Sequence, residues 1–175
     1  RLLDEIICEK GKIIPSEILM DLNNAIQETF SSNKEHLDYG IDISLISLNT
    51  KTGELLFSGI GNGIYRVSND KLDFFAATPK SLGPDLSKSD LEDQQIEYKK
   101  GDSFYLFSDG YADQFAGNDP NRTKFNLKRF SALILKVEKT GNLSEAPALF
   151  EQELKNWMGE NNMQVDDICI IGFRI

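Results

Sequence analysis

Histidine is nearly absent from this chain: His36 is the only one among 175 residues, and it stands in a polar stretch. Without a second imidazole, neither a histidine zinc triad nor a Ser-His-Asp triad can be assembled. Cysteine is almost as scarce. Cys8 and Cys169 lie in apolar contexts with no metal-ligand spacing, so they are expected to be reduced, buried thiols of a cytoplasmic protein. Neither has the electropositive neighbourhood of a reactive thiolate. No apolar run approaches the roughly 20 residues of a membrane-spanning helix, and nothing at the start resembles a signal peptide. Positive charge is in deficit too. The 19 Lys and Arg against 28 Asp and Glu leave a formal charge of −9, which argues against nucleic acid as a partner because phosphate backbones require a concentrated basic face. Internal repeats and low-complexity tracts are also missing.

The residues that are present describe an ordinary globular chain, 40% hydrophobic and 27% charged. Its length suits a single domain, 1–175. Residues 1–8 already read as helix, with apolar positions at 2, 3, 6 and 7. An opening in mid-helix is expected of a piece of something longer. A second helix over 16–30 presents Ile18, Leu19, Leu22, Ile26 and Phe30 on one stripe, and a polar loop over 31–38 follows. The period then changes to two, predicting a strand from Ile41 through Leu45, a turn over 49–53 and a strand over 54–60. Short strands over 64–67 and 72–76 come next. Residues 77–93 read as a long surface loop, of the kind that often carries function. A hairpin is predicted from 94–98 and 103–108 around a turn at 99–102. Helices over 127–138 and 144–158 and a closing strand over 167–175 complete an α+β pattern of antiparallel strands covered by helical layers.

Two acidic sites stand out. In Tyr105-Leu106-Phe107-Ser108-Asp109-Gly110-Tyr111-Ala112-Asp113, an apolar strand ends in an acid and a glycine, and a second acid follows four residues later. A helical turn beginning at Gly110 would aim Asp109 and Asp113 at one point, an arrangement suited to Mg²⁺ or Mn²⁺. The same residues also suit a turn and helix whose early acids favour the helix dipole. Asp166-Asp167, ahead of the last strand, is an ordinary turn pair when taken alone. Two strands ending in acids that meet across a sheet would demand a cation or a shifted pKa. Gly59-Ile60-Gly61-Asn62-Gly63 has the glycines of a phosphate loop, but neither the lysine nor the helix start.

The stretch Gly101-Asp102-Ser103-Phe104-Tyr105-Leu106-Phe107-Ser108-Asp109-Gly110-Tyr111-Ala112-Asp113-Gln114-Phe115 closely resembles the GD-x-x-YLFSDG-x-x-DQF signature of the SpoIIE branch of the protein phosphatase 2C (PPM) superfamily. Gln164-Val165-Asp166-Asp167-Ile168 is similar to that branch's closing Q-x-DDI block. Tyr39-Gly40-Ile41-Asp42 resembles its DGMD element, and the run from Phe57 to Gly63 its Y-x-G-x-x-N-P turn. The resemblance implies an antiparallel β-sandwich flanked by helices in α-β-β-α layers. It also implies a metal-dependent protein serine/threonine phosphatase of bacterial signalling, with two Mn²⁺ or Mg²⁺ per intact site and hydrolysis by a metal-bridged water.

Carried over by position, Asp109 and Asp166 match metal-binding, catalytic aspartates. Asp113 matches a further, weaker metal position, and Asp167 a ligand or an orienting neighbour. Gly110 and Asn62 fall near the site. Implied partners are a phosphorylated protein substrate such as an anti-sigma-factor antagonist and a sensor domain in the parent chain, which can place the domain on the cytoplasmic side of a membrane-bound sensor. Tyr39 replaces the first aspartate of the DGMD element, and Ala116 a usual glycine. The family's opening strands, with their bridging Asp-Gly pair, have no counterpart here. The expectation is therefore an N-terminally shortened domain of little or no activity, with an exposed sheet edge that favours a homodimer. The competing reading is a non-catalytic signalling or dimerisation module of the same fold. An unrelated acidic α+β domain would leave Asp109 and Asp166 far apart.

Overall fold

The computed structural model describes residues 1–33, 40–117, 119, 121–160 and 163–175. His36 and Tyr39 lie outside the described residues, as does most of the polar loop expected at 31–38. The strands among the described residues are β1 (Ile43–Asn49), β2 (Glu54–Ile60), β3 (Ile64–Ser68), β4 (Lys71–Phe75), β5 (Gln94–Gln95), β6 (Ser103–Phe107) and β7 (Ile170–Arg174). The α-helices are α1 (Leu2–Asp4), α2 (Pro15–Asn33), α3 (Gly110–Asp113), α4 (Asn126–Glu138) and α5 (Ala146–Met158). Every strand pairing is antiparallel, in one sheet ordered β1-β2-β5 and another ordered β4-β3-β6-β7. The expected α+β class is observed. No helix among the described residues is long and apolar enough to cross a membrane.

The chain divides into two compact units. The first comprises Arg1–Gly63 and Ala76–Tyr98. Pro15 starts α2 with a preset φ and no N–H left unsatisfied, and Asp93 accepts a hydrogen bond from the Ser16 N–H at 2.8 Å. Apolar residues three and four apart on α2 give it a buried face of Ile18, Leu19 and Leu22, which packs with Ile6, Ile60, Leu82 and Leu86. Burying each such side chain is worth about 1.5–3 kcal/mol.

The segment 77–93 is the long loop expected, largely exposed, but it is pinned at buried points. Leu82 and Leu86 are 3% and 5% exposed. The Asn23 side chain also grips the backbone of Gly83 from both sides: its Nδ2 donates to the carbonyl at 3.2 Å, and its Oδ1 accepts from the N–H at 2.8 Å. The two leucines pin an otherwise exposed segment to the core of the first unit.

Cys8 is exposed rather than buried, because the π-helical turn Glu5–Glu9 that carries it buries only Ile6. Cys169 is exposed as well. It sits at the exposed approach to β7, where its backbone rather than its thiol makes the contacts.

The second unit comprises Ile64–Phe75 and Lys99–Ile175. Its core is aromatic: Tyr65, Phe107, Tyr111, Phe125, Phe130 and Phe150 pack with Leu133, Ile134 and Val137 of α4. Tyr111 lies at the centre, with ring centroids 5.1 Å from Phe125, 5.2 Å from Phe130 and 5.9 Å from Phe150. Such pairs add about 0.5–1.5 kcal/mol each beyond simple burial.

The predicted hairpin over 94–108 does not form. β5 pairs with β2, through Leu56 with Gln95 and Phe57 with Gln94, whereas β6 lies between β3 and β7. The intervening turn is held elsewhere. The Asp102 carboxylate accepts from Lys99 N at 3.1 Å, and Gly101 N and Ile175 N bond across to Ile175 O and Asp102 O.

Candidate active site

β6 delivers the first acid. The strand is buried on both faces, at Ser103, Phe104 and Tyr105 and again at Phe107, and ends there, after which the chain passes Ser108 and Asp109 turns into the single helical turn α3. Asp113 N donates to Asp109 O at 2.9 Å, closing that turn. Asp109 is exposed, whereas Gly110, Tyr111 and Ala112 are buried.

The second pair of acids lies on the exposed approach to β7. Ser108 fastens this approach to the end of β6. Its hydroxyl donates to Asp167 O at 2.9 Å and accepts from Cys169 N at 2.9 Å, while Ser108 N donates to Cys169 O at 2.9 Å. Gly110 then allows the two backbones to touch. A Cβ at this position would stand 2.4 Å from Asp167 O and 3.3 Å from the carbonyl carbon of Asp166. Asp109 and Asp166 therefore spring from segments in direct backbone contact. Asp166 Oδ1 accepts from Asp167 N at 2.7 Å, and Gln164 Nε2 donates to Asp166 O at 2.7 Å, which orders the acidic turn locally.

The other candidates make contacts of their own. The Asp113 carboxylate is turned to Lys124, with Nζ 2.8 Å from Oδ2. Asn62 belongs to the first unit, where its side chain donates to Asp42 at 3.4 Å and its carbonyl accepts from the Ser44 hydroxyl. Among the described residues, no group of three or more His, Cys, Asp or Glu converges as a metal site. Two exposed carboxylates do fit one hydrated hard cation, since Mg²⁺ is commonly held by one or two carboxylates and keeps several waters. They do not form a cage for a bridged pair.

Two residues escaped the sequence reading of this site. Ser108 has just been described. Gln114, at the end of α3, is fully buried; its Nε2 donates to Met163 O at 3.1 Å and its Oε1 accepts from Val165 N at 3.1 Å. Its signals in the sequence are its match to the Gln of the DQF signature and its place as an amide among Tyr111, Ala112 and Phe115. Beneath these groups, burial raises the Tyr111 phenol pKa above its ordinary range, and its hydroxyl donates to Phe150 O at 2.8 Å.

Known proteins share the family and the fold of this chain. Residues 2–175 match the family model described as Stage II sporulation protein E (SpoIIE). The SiaA PP2C domain of Pseudomonas aeruginosa superposes with a TM-score of 0.84 at 24% identity, over 99% of this chain and 66% of that one. The RsbU and RsbW domains of a Mycobacterium tuberculosis protein give 0.69 at 14% identity, over 97% of this chain and 44% of that one. The phosphatase domain of the Bacillus subtilis cell-fate determinant SpoIIE, presoaked with Mn, gives 0.57 at 17% identity, over 87% and 63%. This chain thus spans less than two thirds of each of these structures. At these identities the likeness is one of fold: mixed helix and antiparallel sheet of the PP2C phosphatase type. The comparison with curated proteins returned no match.

Proposed function

The chain belongs to the Stage II sporulation protein E family, and on that premise we propose that it is a metal-dependent protein serine/threonine phosphatase domain of bacterial signalling. The observation that carries the reading is the backbone contact between the Asp109–Gly110 turn and the Asp166–Asp167 turn. It brings the backbone segments that carry Asp109 and Asp166, far apart in sequence, into contact. Asp109 and Asp166 are the residues that would hold Mn²⁺ or Mg²⁺, with Asp167 orienting Asp166 through its N–H. Asp113 stays with Lys124 and serves as a peripheral group. The Mn-presoaked SpoIIE phosphatase structure among the relatives supports the choice of metal.

When bound, such an ion neutralises phosphate charge and lowers the pKa of coordinated water. The chain's own contribution is to keep both carboxylates exposed to an incoming phosphate on a backbone fixed by Ser108 and Gly110. Two carboxylates hold an ion weakly, so these 175 residues alone are expected to turn over slowly. The substrate class is a phosphorylated protein, with an anti-sigma-factor antagonist as the leading type; a relative carrying RsbU and RsbW domains in one structure is in keeping with a protein partner. A sensor domain in the parent chain and a cytoplasmic setting belong to the same proposal.

A second reading, a non-catalytic signalling or dimerisation module, draws on the lack of a three-ligand cluster among the described residues. A phosphatase assay with Mn²⁺ on a phosphoserine protein, run with the full-length parent protein, separates the two. The enzyme reading expects measurable turnover that Asp109→Asn and Asp166→Asn each reduce by about 100-fold or more, the scale of losing a major electrostatic contact. Turnover unaffected by either change rejects the metal assignment, and no turnover at any Mn²⁺ concentration supports the module.

A further inference from the structure

We propose that Gln114 is a positioning residue that fixes where Asp166 stands relative to Asp109. This inference rests on the phosphatase reading for the chemical role of those two acids. Gln114 is fully buried, and an unpaired amide at such a site would cost about 1–3 kcal/mol. Both ends of its side chain are instead spent on the segment that leads into Asp166, on Met163 O and Val165 N. Its own position is set from two other directions: its carbonyl accepts from Phe125 N at 2.9 Å and from Trp157 Nε1 at 2.9 Å. The amide therefore transmits a rigid aromatic core to a short exposed stretch of backbone.

Among the described residues, little else holds that stretch. Met163 is 86% exposed and Val165 49% exposed, so neither side chain anchors it by burial. A cavity of about 330 Å³, lined by Phe115, Arg122, Met163 and Val165 among others, lies beside it. Two ties thus bracket the acids. Ser108 binds residues 167 and 169 at one end, and Gln114 binds residues 163 and 165 at the other. Asp109 lies between the tying residues on one strand of this arrangement, and Asp166 between the tied residues on the other. Releasing the Gln114 end leaves Asp166 held from one side only.

The test uses Gln114→Met, which keeps length and volume but removes both bonds, and Gln114→Glu, which keeps only the acceptor for Val165 N–H. Mn²⁺ is titrated into the 175-residue chain while paramagnetic broadening of its amide resonances is followed, and amide exchange is measured without metal. In Gln114→Met, Val165 should lose exchange protection and Mn²⁺ affinity should fall about 10-fold, the usual scale for an outer-shell change. Broadening should persist at Asp109 and Gly110 but fade at residues 166–168, a local pattern that general destabilisation does not produce. Gln114→Glu should be intermediate, and it carries the comparison if the methionine variant fails to fold. Unchanged Mn²⁺ affinity with unchanged Val165 protection overturns the proposal. A wild-type chain that binds no Mn²⁺ would sink the phosphatase reading instead. Val165 protection then decides alone on Gln114: lost in the variant it sustains the tie, and retained it removes it.

Discussion

Gly110 and Ser108 show how much of this site depends on atoms that are small or missing. A methyl group at Gly110 would stand 2.4 Å from a backbone oxygen, which cannot swing aside as a side chain would. Gly110→Ala should therefore destabilise the protein by about 1–3 kcal/mol, the range for an overpacked position, and should weaken Mn²⁺ binding as the Asp166 turn is pushed outward. Urea unfolding and a Mn²⁺ titration check the two effects separately. Ser108→Ala deletes one donor and one acceptor while leaving the strand hydrogen bond of residue 108 intact. A loss of about 1 kcal/mol is expected, with faster amide exchange at Cys169. At this scale the turn at Asp109–Gly110 was legible in the sequence, because an apolar run that stops abruptly in Asp-Gly is a local signal. The residues that hold the acids were not, since the partners of Ser108 and Gln114 lie 49 to 61 positions away along the chain. The cysteines misled for the opposite reason: apolar neighbours in sequence did not bury the thiols in space.

Helices and hairpins with their own periodicity came through the sequence nearly unchanged. β2 spans residues 54–60 as expected, and α4 and α5 differ from the prediction by one or two residues at their starts, within the ordinary fraying of such boundaries. Elements whose partners lie far off in sequence did not, as β5 and β6 illustrate. The buried ties of segment 77–93 are the clearest case, and they make two predictions. Asn23→Ala removes both buried bonds to Gly83 and should cost about 1–3 kcal/mol, with limited proteolysis appearing first within residues 79–90.

Asp90 gives the same segment a pH dependence. Hydrogen bonds from Lys80 and then Ser87 hold its carboxyl down from 3.8 to about 2. A carboxyl lowered in the folded state contributes fully above its ordinary value and loses that contribution as pH falls through about 2. Asp90→Asn should therefore flatten the acid limb of the stability profile below pH 3.8, as measured by urea midpoints across that range. An identical acid limb in both proteins would show that the Lys80–Asp90 pair does not act in solution.

For the whole molecule, charge and edges set the expectations. A net charge of −9 opposes self-association, whereas β7, the terminal strand of its sheet, offers an edge with Ile171 55% exposed. Dimer formation through this edge should grow with salt as repulsion is screened, and Ile171→Lys should weaken it by about 10-fold in sedimentation equilibrium. Monomers at every concentration and salt level would exclude it. The α+β class was readable at this scale because the balance of periods two and 3.6 along a chain survives errors in individual pairings.

The division into units was not readable, because the chain passes between them at residues 63–64, 75–76 and 98–99. The hairpin of β3 and β4 is thus an island of one unit set within the sequence of the other. No single scissor cut yields either unit whole, and excising the unit that holds Asp109 and Asp166 would require splicing residues 64–75 onto residue 99. Gene fusion or shuffling must therefore carry the pair as one heritable block.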